Sequence, residues 1–228
     1  MELLSIIFSQ KDIQKKILYS LVILAVYRLG TYIPVPGINS AVLEQIFAQH
    51  QNGILGIFDM FSGGALMRMS VFTLGVMPYI SASIIVQMFG SISPQLQQLK
   101  KEGEAGKRKM NQYTRYGTLG LSIIQALAIS KWLVSNGIVL NPGPAFYMSS
   151  VITLVTGTMF LMWLGEQITE RGLGNGISLI IFAGIVAGLP SSLGGLFELV
   201  RTGSMLPIVA LFIVALVIVV TSLVCFVE

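Results

Sequence analysis

The sequence predicts an all-α, polytopic transmembrane helical bundle of six spans with one re-entrant segment. Three observations carry this. Of the 228 residues, 54% are hydrophobic, only 11% are charged, and mean hydropathy is +0.81, where a soluble domain has roughly 25% charged residues. Six stretches come close to the ~20 mostly apolar residues that cross a bilayer. The cations gather on alternate connections, the positive-inside pattern. A soluble globular enzyme or a disordered polymer does not fit, because each needs a polar shell or a polar majority.

The first stretch runs from Ile17 to Ile33, after Lys11, Lys15 and Lys16. Pro34-Val35-Pro36-Gly37 follows it, unlike the cleavage site of a secretory leader. The second runs from Val71 to Gly90 and holds Gly75, Pro78, Ser81, Ser83 and Gln87. The third runs from Gly117 to Val134, the fourth from Tyr147 to Gly165. The fifth, Ile177 to Leu196, contains Ser178, Gly184, Gly188 and Pro190. Small and hydroxyl residues in the second and fifth suit close helix approach or a cavity wall. The sixth, Leu206 to Val227, is Val, Ile and Leu on all sides and suits lipid.

With the N-terminus in the cytoplasm, inner segments hold Lys11, Lys15, Lys16, Lys100, Lys101, Lys107, Arg108, Lys109, Arg115 and Arg171. Only Arg28, Arg68, Lys131 and Arg201 fall at outer positions. Both ends are therefore expected in the cytoplasm.

The stretch Ile54–Met69 is apolar but interrupted by Asp59, Gly63-Gly64 and Arg68. As a helix its residues reach only about 24 Å. Hydrocarbon disfavours its charges and glycine backbone, and water disfavours its apolar groups. Two solutions remain: a re-entrant element in a protein cavity, or an interfacial helix flat on the outer leaflet.

No catalytic or cofactor motif emerges. Cys225 and His50 are single, which excludes a cysteine-cluster metal site and bis-histidine haem ligation. Gly172, Gly174 and Gly176 do not fit a dinucleotide fingerprint and follow no strand; they read as a tight turn. No carboxylate pair sits mid-span, which speaks against a coupled small-solute transporter, the main alternative. The basic run from Lys100 to Lys109 is either a solvated, topology-fixing loop or a docking surface for an acidic partner. Val76 and Ile80, like Ile177 and Ile181, lie four apart on one helix face; spacing alone makes them packing or lipid-facing aliphatics.

Five motifs resemble the SecY family, the central subunits of the Sec protein translocase. Arg28-Leu29-Gly30-Thr31-Tyr32-Ile33-Pro34-Val35-Pro36-Gly37-Ile38 is similar to the end of that family's first span. Met60-Phe61-Ser62-Gly63-Gly64-Ala65-Leu66 resembles its plug, and Gly75-Val76-Met77-Pro78-Tyr79-Ile80-Ser81-Ala82-Ser83-Ile84 the second half of its broken second helix. Lys100-Lys101-Glu102-Gly103-Glu104 with Gln112-Tyr113-Thr114-Arg115-Tyr116-Gly117 is similar to its next cytoplasmic loop. Gly165-Glu166-Gln167-Ile168-Thr169-Glu170-Arg171-Gly172 with Gly174-Asn175-Gly176-Ile177-Ser178 is similar to the turn into its fifth span.

The resemblance covers about Lys16 to Glu228 and implies residues 1–204 as one half of a ten-span channel and 205–228 as the first span of the other. It implies a non-enzymatic, cofactor-free, protein-conducting channel of the cytoplasmic membrane that translocates unfolded preproteins and inserts membrane proteins. Val76, Ile80, Ile177 and Ile181 match a pore ring, with Val76 where the family often has isoleucine. Phe58, Phe61, Ser62, Gly63, Gly64, Ala65, Leu66 and Arg68 match the plug, and Ser81 and Gln87 a lateral gate toward lipid. Lys100, Lys101, Lys107, Arg108, Lys109 and Arg115 match a docking surface. The implied partners are SecE-type and SecG-type subunits, the SecA motor, the ribosome, signal sequences and membrane lipid.

Overall fold

A computed structural model describes residues 11–39, 42–43, 45–46, 56, 59, 62–203 and 206–227. The named elements are all helices: α1 Lys11–Gly30, α2 Met77–Ile92, α3 Pro94–Lys101, α4 Glu104–Ser135, α5 Pro144–Arg171, α6 Gly176–Arg201 and α7 Pro207–Val227. Isolated antiparallel bridges join Pro34 to Ser70 and Ile38 to Val139. Among the described residues, α4, α5, α6 and α7 are long and apolar enough to cross a membrane. The chain divides into two compact units, Met1–Ile185 and Val186–Glu228.

In the first unit α4 packs against both α2 and α5, and α1 against α5. The buried face of α4 is small and hydroxylic at four-residue spacing: Thr114, Thr118, Ser122, Ala126, Ser130. The hydroxyls donate within the helix, Thr118 to the Thr114 carbonyl and Ser130 to the Ala126 carbonyl, each at 2.7 Å. No polar group is thereby left bare, and neighbouring backbones come close. Ser130 also meets Ser150 of α5 at 2.9 Å. Gly157 of α5 leaves no room for a Cβ against the Val71 carbonyl.

Two elements differ from the sequence expectation. The second span does not begin at Val71. Residues 71–76 are turns, closed by Gly75 N–H to the Phe72 carbonyl at 2.8 Å, and α2 begins at Met77. Gly75 has φ +57°, and Pro78 sits in the first helical turn, where a missing N–H costs nothing. The resulting 16-residue helix is about 24 Å long, short of a ~30 Å hydrocarbon core. The basic stretch after α3 is not a loop either. α3 and α4 are separated by Glu102-Gly103 alone, and Lys107, Arg108 and Lys109 lie within α4. Gly103 turns the chain at φ +69°, and Gly106 fits against the Leu99 carbonyl only because it lacks a side chain.

In the second unit the later part of α6 and α7 enclose an apolar groove of about 660 Å³, bordered by Leu193, Phe197, Pro207 and Leu211. α7 exposes aliphatic side chains on nearly every face, as expected for a helix in lipid.

Candidate functional site

The turn between α5 and α6 fixes where the first aliphatic pair of the site begins. Asn175 Oδ1 accepts from the N–H groups of Ile177 at 3.1 Å and Ser178 at 3.3 Å, an N-terminal cap for α6. Thr169 Oγ1 accepts from Gly176 N–H at 2.9 Å. A Cβ at Gly176 would strike the Gly165 carbonyl, so glycine lets α6 start directly against α5. Ile177 is thereby seated in the first turn of α6, against Gly165 of α5. From the other side, the turns at 70–76 deliver Val76 to the start of α2.

These two starts meet. Val76 and Ile177 are buried in one cluster with Ile23, Ala65, Phe72, Leu164, Ile168 and Ile180, and Ile80 and Ile181 pack on it partly exposed. Val76, Ile80 and Ile181 also border a cavity of about 500 Å³, with Ser62, Leu66 and Met69 on one side and Gln125, Ile129 and Trp132 of α4 on another. Its wall is almost wholly apolar, which disfavours water and ions within it.

The segment beside this cavity is folded inward. Ser62, Ala65, Met69 and Ser70 are buried, and Arg68 is exposed. Gly63 and Gly64 take φ +66° and +82°. A Cβ at Gly63 would lie 3.0 Å from the Gly184 Cα of α6 and 3.0 Å from the Tyr27 hydroxyl. Gly63 thus lets the segment pass against α6 and α1. Tyr27 hydroxyl donates to the Ser62 carbonyl at 3.2 Å, and Arg28 Nη1 to the Gly63 carbonyl at 2.6 Å. Asp59 organises the same turn: its carbonyl accepts from Gly64 N–H at 3.0 Å and its Oδ1 from Met67 N–H at 2.8 Å. Burial pushes the Asp59 carboxyl above its ordinary range; the N–H groups of Met67 and Leu66, then the Arg68 charge and the Ser62 hydroxyl, pull it back. Of the two solutions left open for this stretch, the described residues adopt the inward-packed one. Phe58 and Phe61 lie outside the described residues.

The remaining expected positions fare differently. Ser81 is half-buried and Gln87 exposed; six residues apart on α2, they point to different faces, and the Gln87 amide donates to Ser83 Oγ at 3.0 Å. Lys101, Lys107, Arg108 and Lys109 are exposed, and Lys100 lies in α3. Arg115 is tied across to α5: its Nε and Nη2 meet the two Glu166 carboxylate oxygens at 3.0 and 2.6 Å. Sequence reasoning missed Tyr27, Trp132 and the contact role of Arg28. Gln125, Ile129 and Trp132 do recur at helical spacing, yet such a face is legible only once its neighbour is known.

A protein-family model described as SecY matches residues 70–228. The chain belongs to the SecY family. It is 55% identical over 219 residues to the protein translocase subunit SecY of Haemophilus influenzae, covering 95% of this chain and 50% of that protein. To the SecY of Escherichia coli K12 it is 53% identical over 221 residues, with the same coverages. The chain spans about half the length of these curated relatives. Among solved structures, Sec61 in the canine ribosome–channel complex from the endoplasmic reticulum superposes with TM-score 0.64 at 18% identity, over 91% of this chain and 47% of that one. A solved protein-conducting channel gives the same score, identity and coverage. At that identity the likeness establishes the SecY/Sec61 fold.

Proposed function

We propose that this chain is the first half, with the first span of the second, of a protein-conducting channel in the bacterial cytoplasmic membrane. Residues 1–204 and 205–228 are those two parts, with both ends in the cytoplasm. The channel passes unfolded preproteins and releases new membrane helices into lipid. Val76, Ile80, Ile177 and Ile181 supply this half's share of an aliphatic neck. Aliphatic groups offer a sliding chain no fixed hydrogen bond, so any sequence passes, while their dewetting blocks ions. Segment 58–69 is the plug that closes the neck at rest. Of the two lateral-gate positions, the exposed Gln87 belongs to the side that opens to lipid, while Ser81 points to another face of α2; Lys100, Lys101, Lys107, Arg108 and Lys109 present the cationic surface for SecA or the ribosome. SecE-type and SecG-type subunits complete the complex.

The observation that carries this reading is the gathering of the four aliphatic side chains from two helix starts into one cluster, beside an apolar cavity that the plug segment also borders. The test is Ile80→Asp in the complete translocase. A carboxylate at the neck wets it, and resting ion conductance in a planar bilayer rises. Conductance equal to the parent's contradicts the assignment.

A further inference from the structure

Segment 62–71 is attached to the region around α1 in two chemically different ways. At its C-terminal end the attachment is backbone to backbone and buried. Val35 N–H donates to the Met69 carbonyl at 2.8 Å, Val71 N–H to the Ile33 carbonyl at 2.9 Å, and Pro34 bridges Ser70. Met69 and Ser70 are inaccessible to solvent, and Met69 is held at φ +43°, a conformation that non-glycine residues rarely adopt. This is an anchor, and its local geometry is imposed by its surroundings.

At the N-terminal end the attachment is made by side chains: Tyr27 is buried, Arg28 half-buried, and Tyr32 and Arg68 are exposed. Tyr27 and Arg28 donate to the successive carbonyls of Ser62 and Gly63, which the positive φ of Gly63 and Gly64 helps aim at α1. Tyr32, 55% exposed, carries two guanidinium groups over its ring: Arg68 of the segment at 4.2 Å from the centroid and Arg28 at 5.5 Å. The ring's negative face attracts both cations, which otherwise repel. When these contacts part, the exposed Tyr32 and Arg68 regain water at little cost, unlike the buried pairs at Met69.

We propose that the C-terminal end of α1 is a releasable latch on the plug: Tyr27, Arg28 and Tyr32 hold residues 62–68 closed, and release lets them swing about the Met69 anchor. This rests on the plug reading above and adds what sets the plug's resting equilibrium.

The test uses the complete translocase in a planar bilayer, with resting ion conductance as the readout and deletion of residues 63–67 as reference. Arg28→Gln and Tyr32→Leu should each raise resting leak by about two- to fivefold, the population shift that a contact of cation–π strength supports. Tyr32→Phe keeps the ring and should match the parent, and Arg28→Lys should recover part of the loss. If Arg28→Gln fails to accumulate, Tyr32→Leu decides alone, since an exposed side chain is not needed for folding. If the deletion leaks while Arg28→Gln and Tyr32→Leu do not, the latch is overturned and the plug reading stands. Equal leak from Tyr32→Phe and Tyr32→Leu also overturns it, because the ring is then not the holding element. If the deletion itself does not leak, the plug reading fails and the latch falls with it.

Discussion

Gly75 and Gly157 are the same residue for different reasons, and substitution separates them. Gly75 sits at φ +57° with open space where a Cβ would go, so Gly75→Ala meets only the cost of a left-handed backbone, roughly 1–2 kcal/mol. Gly157 is helical, but its Cβ would run into the Val71 carbonyl, a backbone atom that cannot rotate away. Gly157→Ala should therefore lower the thermal unfolding temperature in detergent more than Gly75→Ala does; the reverse order contradicts the packing described. Asp59 gives a pH-dependent case. Its carboxyl is raised by burial, so the folded protein holds that proton more tightly than the unfolded chain. Ionised Asp59 is thus a liability at neutral pH, relieved as pH falls through its raised value toward the ordinary carboxylate range. Asn keeps an acceptor for Met67 N–H but does not titrate. Relative to Asp59→Asn, the parent should gain stability as pH drops from neutral into that range, and a pH-independent difference contradicts it.

At the scale of elements, the ion pair between Arg115 of α4 and Glu166 of α5 is bidentate but half exposed on the arginine side. Its contribution is bounded by solvent screening, and a double-mutant cycle with Arg115→Ala and Glu166→Ala should give a coupling of about 0.2–1 kcal/mol. The spans were legible where composition alone decides them: α5, α6 and α7 begin within three residues of the expected apolar stretches. The start of α2 was hidden because Val71, Phe72 and Leu74 continue its apolar run, although they pack as turns against α5, α4 and the segment before them. α4 begins thirteen residues before the expected Gly117 because Lys, Arg and Glu mark a solvated helix as readily as a loop. The gathering of Val76, Ile80, Ile177 and Ile181 into one cluster was expected only from the family resemblance, since their spacing fits any buried helix. The Tyr27 and Arg28 contacts were not legible, because each partner lies 35 residues away and neither residue type announces a carbonyl acceptor.

For the whole molecule, α2 and α6 both present aliphatic residues from their first turns, and the segment before α2 folds back beside them. At 16 residues α2 is shorter than the roughly 20 that cross a hydrocarbon core. α7 exposes aliphatic side chains outward; on the proposed reading, the apolar cavity by α4 is where a passing chain would run. The claim that polypeptide runs along the cluster of Val76, Ile80, Ile177 and Ile181 is tested most directly by photo-crosslinking. A photoreactive residue is placed at Ile80, at Ile181 or at the exposed Leu211 of α7, in the complete translocase, with a preprotein stalled midway. Adducts to the stalled preprotein should form from Ile80 and Ile181 and not from Leu211. A stalled preprotein that is captured at Leu211 while Ile80 and Ile181 stay unlabelled would contradict the account.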